Sequence, residues 1–444
     1  MVSLFFAGGE SKSVPARELD DRRENKEMPQ FCPAAERMGM QMTRKQKYRR
    51  VLLALAALFL ILAVLLGYDA MRESLPDTMY VDENSESPFQ PLTKHPLLTI
   101  SEDTKEAEKT EFGETVVECS AAGIPLKKIR VIQEERPKVA VCGAPVGIYM
   151  ETDGVMVIRT AEIRSSDGTV SRPSENILRE GDYITKVNGQ SIRSKQDLID
   201  AVKVSNGSPV YLSLLRDGET IEVQVTPQKS QDGTCRLGAW VRDNMQGIGT
   251  LTFVEPDGTF AALGHGISDI DTGKMLQLNG GELYLTQILS VIPGKAGVPG
   301  ELQGVIHYEE KNRIGSVAEN TIYGIHGVLD REKSSALPLT VTEIAYRQEI
   351  ETGPATVRMC VDNTVEEYEA EITEIDLGSE NTNKNFVLEI TDQRLLQKTG
   401  GIVQGNSGSP VLQNGRLIGA ITHVFVNHPE KGYGVFAENM LERN

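Results

Sequence analysis

Gly405-Asn406-Ser407-Gly408-Ser409-Pro410 runs into Val411-Leu412-Gln413-Asn414-Gly415-Arg416-Leu417-Ile418-Gly419, and the reading of this stretch governs the rest. A serine hydroxyl becomes a useful nucleophile when a tight turn leaves Oγ exposed and aims nearby N–H groups at the attacked carbonyl oxygen. Gly405 and Gly408 permit such a turn around Ser407. The residues after Pro410 read as a β-hairpin: apolar Val411 and Leu412, an Asn414-Gly415 pair suited to a two-residue type I′ turn, then Leu417 to Thr422 as the return strand.

A nucleophilic serine needs a base, and His265 is the best placed of the six histidines. It comes after the Pro256-Asp257-Gly258 turn and Phe260, so Gly249 to Phe260 reads as a hairpin that delivers the imidazole to a strand edge. Gly264 and Gly266 on either side leave room for a substrate backbone. Histidine first and serine 142 residues later is the order of the chymotrypsin-type serine peptidases. The two N–H groups expected to hold an oxyanion are those of Gly405 and Ser407.

The acid that would orient the imidazole is open on spacing alone. Asp392 lies fifteen residues before Ser407, in Glu389-Ile390-Thr391-Asp392-Gln393-Arg394. It reads equally as the N-cap of a short helix through Leu395 and Leu396, where a carboxylate satisfies free N–H groups. Asp269 and Asp330 are the other contenders. Ile421 to Asn427, directly after the serine hairpin, is expected to border the substrate main chain. That puts His423 near the primary pocket, although it reads more readily as a core or surface histidine.

The chain of 444 residues carries a formal charge of −17, which argues against nucleic acid as a partner. Five cysteines show neither CxxC pairs nor metal-ligand spacing, so no metal, cofactor or disulfide framework is indicated. Val51 to Gly67 is an uninterrupted apolar run behind Arg44, Lys45, Lys47, Arg49 and Arg50, whose charges hold its N-terminal end in the cytoplasm. Its hydrophobicity has no polar face, which argues against a buried core helix. The run spans roughly 25 Å against a core of about 30 Å, so a cleaved signal peptide competes. The absence of a small-x-small cleavage site favours an uncleaved signal anchor.

Val141 to Met150 reads as a turn and strand, and Val155 to Thr160 as a second strand. Then come Gly181-Asp182-Tyr183-Ile184-Thr185-Lys186-Val187-Asn188-Gly189, an amphipathic helix through Leu198, Ile199, Ala201 and Val202, and a hairpin turning at Asp217-Gly218. This order resembles a PDZ domain, in which a peptide C-terminus adds as a strand. An ordinary β-hairpin is the competing reading. On the resemblance, Gly147, Ile148 and Tyr149 line the peptide groove with the helix of residues 195–204. After residue 230, short apolar runs split by Gly, Pro and Asn turns predict an all-β domain with room for two small barrels and a cleft between them.

Gly264-His265-Gly266-Ile267, Ile390-Thr391-Asp392, the run Gly400 to Pro410 and Thr422-His423-Val424-Phe425-Val426-Asn427 together resemble the stage IV sporulation protein B (SpoIVB) family, the S55 serine peptidases with a PDZ domain. The likeness covers most of the chain after about residue 42. It implies that His265, Asp392 and Ser407 are the catalytic histidine, aspartate and serine. It implies a membrane-associated peptidase of endospore formation, exported to the space between forespore and mother cell. There it would clip a membrane-anchored regulator of an intramembrane protease, and its own chain, and so release processing of a late sigma factor. A PDZ-bearing quality-control protease and a non-enzymatic PDZ adaptor are the alternatives.

The expected architecture is therefore mainly β, with a transmembrane signal anchor, a PDZ domain and a chymotrypsin-like double β-barrel. The expected parts are a disordered cytoplasmic tail at 1–43, the anchor at 44–68, an extracytoplasmic linker at 69–115, a connecting segment at 116–139, PDZ at 140–228 and peptidase at 229–444.

Overall fold

The computed structural model describes residues 44–82, 98–101, 114–378 and 382–441. The expected tail of residues 1–43 and two stretches of the expected linker, 83–97 and 102–113, lie outside the described residues. Contacts divide the chain into two units, meeting between Ala63 and Val64.

The apolar run continues as helix beyond both of its ends. Arg44–Glu73 is a single α-helix of 30 residues with its apolar side chains exposed. At 1.5 Å per residue this is about 45 Å, long enough to cross a bilayer.

The segment read as a linker contributes to a folded sheet. Thr78–Asp82 pairs in parallel with Ile124–Glu134, which pairs with Glu114–Ala121, which pairs in turn with Leu98–Ser101. Alternation decides it: Met79 and Val81 point inward, and Met79 packs with Leu75, Cys119, Leu126 and Ile129. Arg136 fastens this sheet to the larger body, reaching Asp82 at 3.3 Å and gripping Glu349 through two bonds of 2.7 and 2.8 Å.

A six-stranded ring forms the first barrel. Pro145–Thr160, Leu278–Ile292, Arg313–Thr321, Gly324–Leu329, Thr259–Ala262 and Ala239–Val254 pair successively, all antiparallel, and the last pairs back onto the first. Inward alternation fills it with Val146, Ile148, Met150, Leu251, Phe260, Leu283 and Ile325. The second barrel closes through Gly353–Cys360, Val365–Ile375, Phe386–Ile390, His428–Phe436, Arg416–Phe425 and Pro410–Gln413. Val357, Met359, Leu388, Val411, Ile421 and Phe436 are in its core. Phe253 and Ala261 of the first barrel pack with Leu417, Ala420 and Val435 of the second, which joins the two halves through one apolar layer.

Two long strands are shared between the PDZ module and the first barrel. Pro145–Thr160 is one strand of 16 residues, continuous through Gly154 at φ 91°, where the sequence pattern predicts two strands. Its first half belongs to the barrel, and Val155 and Met156 pair with Ile184 and Tyr183 of the PDZ sheet. Ala239–Val254 is shared in the same way. The PDZ core of Val155, Val157, Ile184, Leu198, Val202, Leu212 and Leu214 thus sits on strands that run on into the peptidase. The PDZ helix, Lys195–Val204, starts at a capping box in which Ser194 and Asp197 exchange bonds.

Candidate active site

Ala239–Val254 turns at Pro256-Asp257-Gly258 and returns as Thr259–Ala262, the hairpin expected from the sequence. Just past it the backbone turns through Leu263 and Gly264, at φ 71° and 68°, and presents His265. Positive φ at a leucine is strained, and the buried Leu263 holds it because its N–H donates to Thr250 O at 3.2 Å.

The Ser407 turn comes from the second barrel. Gly405 and Gly408 have φ 102° and 92°. A Cβ on Gly408 would lie 2.2 Å from Thr250 O and 2.5 Å from Leu263 N, so only glycine lets the serine turn approach the histidine turn so closely. Gly264 in turn packs against Thr422 and Ile421 O. Ser407 Oγ donates to Thr422 O at 2.9 Å. The two motifs, 142 residues apart in sequence, therefore meet at Ile421 and Thr422.

The N–H groups of Gly405 and Ser407 make no hydrogen bond among the described residues. The carbonyl on the other side of each peptide plane is held: Leu302 N–H donates to Gln404 O at 2.8 Å and Ser409 N–H to Asn406 O at 3.0 Å. A planar trans peptide with its carbonyl held must aim its N–H the opposite way. Buried Asn406 tightens the turn, its Oδ1 accepting from Val403 N at 3.0 Å.

His265 Nδ1 lies 2.9 Å from Gly266 O. Since a carbonyl oxygen only accepts, Nδ1 carries the proton and Nε2 keeps its lone pair. Burial lowers the pKa of His265, so the imidazole is neutral near pH 7. Its ring lies 4.9 Å from that of His423. Burial first, then the proximity of His265 and Lys384, pushes His423 down to about 4. His423 belongs to this site, a placement that the sequence alone weighed below a structural role.

Asp392 is elsewhere engaged. It caps the helix Gln393–Thr399, accepting from Arg394 N at 2.8 Å, and its carboxylate also takes Arg394 Nη2 at 2.7 Å, Arg394 Nε at 3.2 Å and Glu369 N at 3.3 Å. The guanidinium beside it holds the carboxyl down to about 2. Among the described residues no hydrogen bond or ion pair joins it to His265, so the expected triad is not assembled and the N-cap reading describes what is seen. The other contenders are engaged elsewhere too: Asp269 binds Arg242 and the N–H groups of Asp271 and Thr272, and Asp330 accepts from Glu332 N. The acceptor that orders the imidazole here is a backbone carbonyl.

Gly147, Ile148 and Tyr149 do not form an open peptide groove. They pair with Gly247–Ile248 and Gln246 on one side and with Tyr284, Leu283 and Glu282 on the other, leaving no edge for an added strand. The strand beside the PDZ helix is instead the start of Ala239–Val254: Lys195 N–H donates to Asp243 at 2.8 Å, and Ala239 and Val241 pack on the core that includes Leu198 and Val202. Residues 239–249 pair on one edge only among the described residues.

A cleft of about 660 Å³ adjoins the serine turn, lined by Gly247, Ile248, Leu302, Gln303, Gln404 and Gly405 among others. A larger cleft, about 960 Å³, lies against Arg358, Glu367, Glu369 and Thr391 and includes neither His265 nor Ser407. The four described cysteines, Cys119, Cys142, Cys235 and Cys360, are free thiols.

Residues 233–441 match the family model described as SpoIVB peptidase S55, and residues 146–226 that of a PDZ domain. Over 131 residues the chain is 30% identical to the regulator of sigma-W protease RasP of Bacillus subtilis (strain 168), a match covering 29% of each. The chain thus spans under a third of that relative's length. Among solved structures, the PDZ domain of the SdrC-like protein of Listeria innocua is 27% identical, over 20% of this chain and 94% of that one, with a TM-score of 0.18. The active form of the Rv3671c protease of M. tuberculosis is 15% identical, over 44% of this chain and 72% of that one, with a TM-score of 0.24. Residues 233–441 thus match the SpoIVB S55 family of serine peptidases, and a PDZ-domain match lies ahead of them.

Proposed function

We propose that the chain is an endopeptidase in which Ser407 is the nucleophile and His265 the general base. The observation that carries this is the serine turn itself: two N–H groups, of Gly405 and Ser407, stand without an acceptor beside a hydroxyl, against the turn that bears a neutral imidazole. In this mechanism the Ser407 hydroxyl leaves Thr422 O, to which it donates at 2.9 Å, for His265 Nε2. Oγ then attacks a peptide carbonyl, the proton passes to Nε2, and the Gly405 and Ser407 N–H groups bind the oxyanion. His265 returns the proton to the leaving amine, and water repeats the sequence on the acyl-enzyme. The imidazolium is ordered by Gly266 O, and Asp392 serves by capping the helix that leads to the serine turn.

The biological role is inferred from the family. The Arg44–Glu73 helix anchors the chain, with its cationic end in the cytoplasm and the catalytic body outside, in the space between forespore and mother cell. Substrates are a membrane-anchored regulator of an intramembrane protease, whose loss starts processing of a late sigma factor, and the chain itself. The name of the relative, regulator of sigma-W protease RasP, fits a pathway of that kind. The PDZ groove lies between the 195–204 helix and residues 239–243, where it takes a peptide C-terminus.

Mass spectrometry of the N-termini formed by wild type and by Ser407→Ala, together with fluorophosphonate labelling, tests this. New N-termini and a label on Ser407 are expected only in wild type. Cleavage that persists in purified Ser407→Ala removes the assignment, and absence of both label and cleavage in wild type leaves a PDZ adaptor.

A further inference from the structure

Thr250 is fully enclosed, 2% exposed, and makes three hydrogen bonds, each to a different part of the site. Its N–H donates to Ser407 O at 3.0 Å. Its hydroxyl donates to Gly405 O at 2.8 Å. Its carbonyl accepts from Leu263 N at 3.2 Å, at the strained residue two before His265.

We propose that Thr250 is a positioning residue that sets the two oxyanion N–H groups and holds the serine turn in register with the histidine turn. The inference rests on the reading of Ser407 as nucleophile. The aim of the Gly405 and Ser407 N–H groups depends on four carbonyls, those of Gln404, Gly405, Asn406 and Ser407. Leu302 and Ser409 hold one each, and Thr250 holds the other two. The same two peptide planes are held on their N–H side within the second barrel, Asn406 N–H donating to Val403 O at 3.0 Å and Gly408 N–H to Ile421 O at 2.7 Å, and Thr250 holds their carbonyl side from the first barrel. The same residue grips Leu263, and a shift of Thr250 therefore moves nucleophile and base relative to one another. Sequence offers no signal for this role: Thr250 lies inside a strand, with no motif around it.

The test separates the hydroxyl from the backbone bonds. Thr250→Val keeps shape, N–H and carbonyl but frees Gly405 O, and Thr250→Ser keeps the hydroxyl. Thr250→Val is expected to lower kcat about 10- to 100-fold, since a misplacement of about 1 Å costs that order. KM should move less than about threefold, because the lost interaction acts in the transition state. Thr250→Ser should restore kcat to within about threefold, with unfolding midpoints measured for all variants. Unchanged kcat in Thr250→Val, a loss confined to KM, or equal loss in Thr250→Ser overturns the proposal. If Thr250→Val does not fold, Thr250→Cys carries the test with a weak S–H donor. Its kcat must then fall below that of Thr250→Ser, and equality overturns the proposal. A wild type that takes no fluorophosphonate at Ser407 removes the peptidase reading itself, whereas a labelled wild type with a normal Thr250→Val removes only the role of Thr250.

Discussion

Asp392→Asn separates two accounts of the acid by orders of magnitude. If Asp392 ordered the imidazole of His265, its amide would favour the wrong tautomer and cost about 10⁴ in kcat. In the structure the carboxylate caps a helix and meets Arg394 and Glu369 N, and asparagine is as good an N-cap as aspartate. What the amide loses is the ion pair with Arg394, whose side chain is 62% exposed, a pair worth about 0.2–1 kcal/mol in solvent. Asp392→Ala also loses the cap, for roughly 1 kcal/mol more. We therefore expect Asp392→Asn to keep kcat within about threefold and to lose under about 1 kcal/mol by urea unfolding, with Asp392→Ala near 2 kcal/mol. The pH dependence has a definite sign. The folded carboxyl sits at about 2 against the usual 3.8, so its contribution is complete above pH 3.8 and is lost as pH falls toward 2. Wild type should lose more stability than Asp392→Asn across that window. A folded Asp392→Asn enzyme with kcat reduced 10³-fold or more would refute the reasoning and put Asp392 back on His265.

Two further predictions concern other parts of the molecule. His423 is held down to about 4, so the stability it contributes is complete above its unfolded pKa near 6.5 and drains away as pH falls from there to 4. His423→Gln should flatten the stability profile over that window, and an unaltered slope excludes a His423 kept neutral by its place beside His265. Gly147 is buried on the face of its strand opposite Val146 and Ile148, where a Cβ would meet Ile306 Cγ2 at 2.5 Å and Thr286 Oγ1 at 2.7 Å. Gly147→Val should cost about 1–3 kcal/mol in urea unfolding, and a variant of normal stability with weakened peptide binding would restore the groove reading of that strand.

Much of the architecture was readable because its signals are local. The Asn414-Gly415 turn, the Pro256-Asp257-Gly258 hairpin and the glycines around His265 and Ser407 each specify a few consecutive backbone angles, and all stand where the sequence put them. The apolar run and the alternating strands were equally plain, and they marked out a mainly β chain with an apolar N-terminal helix. The cap at Asp392 was legible too, as one of two readings, because capping needs only residues two and three positions away.

Where a residue's partners lie far along the chain, only the folded form decides. Asp392 and His265 carry the right chemistry for one another, but the fold forms no bond between them, and each is taken by a sequence neighbour, Arg394 and Gly266 O. The split of Pro145–Thr160 between barrel and PDZ sheet, and the pairing that covers both edges of Gly147–Tyr149, depend on strands about 100 and 135 residues downstream. Thr250 acquires its role from Gly405 and Ser407, both more than 150 residues away. Torsion preferences are properties of neighbouring residues, whereas hydrogen bonds between barrels depend on how the two cores pack, which no short window of sequence contains.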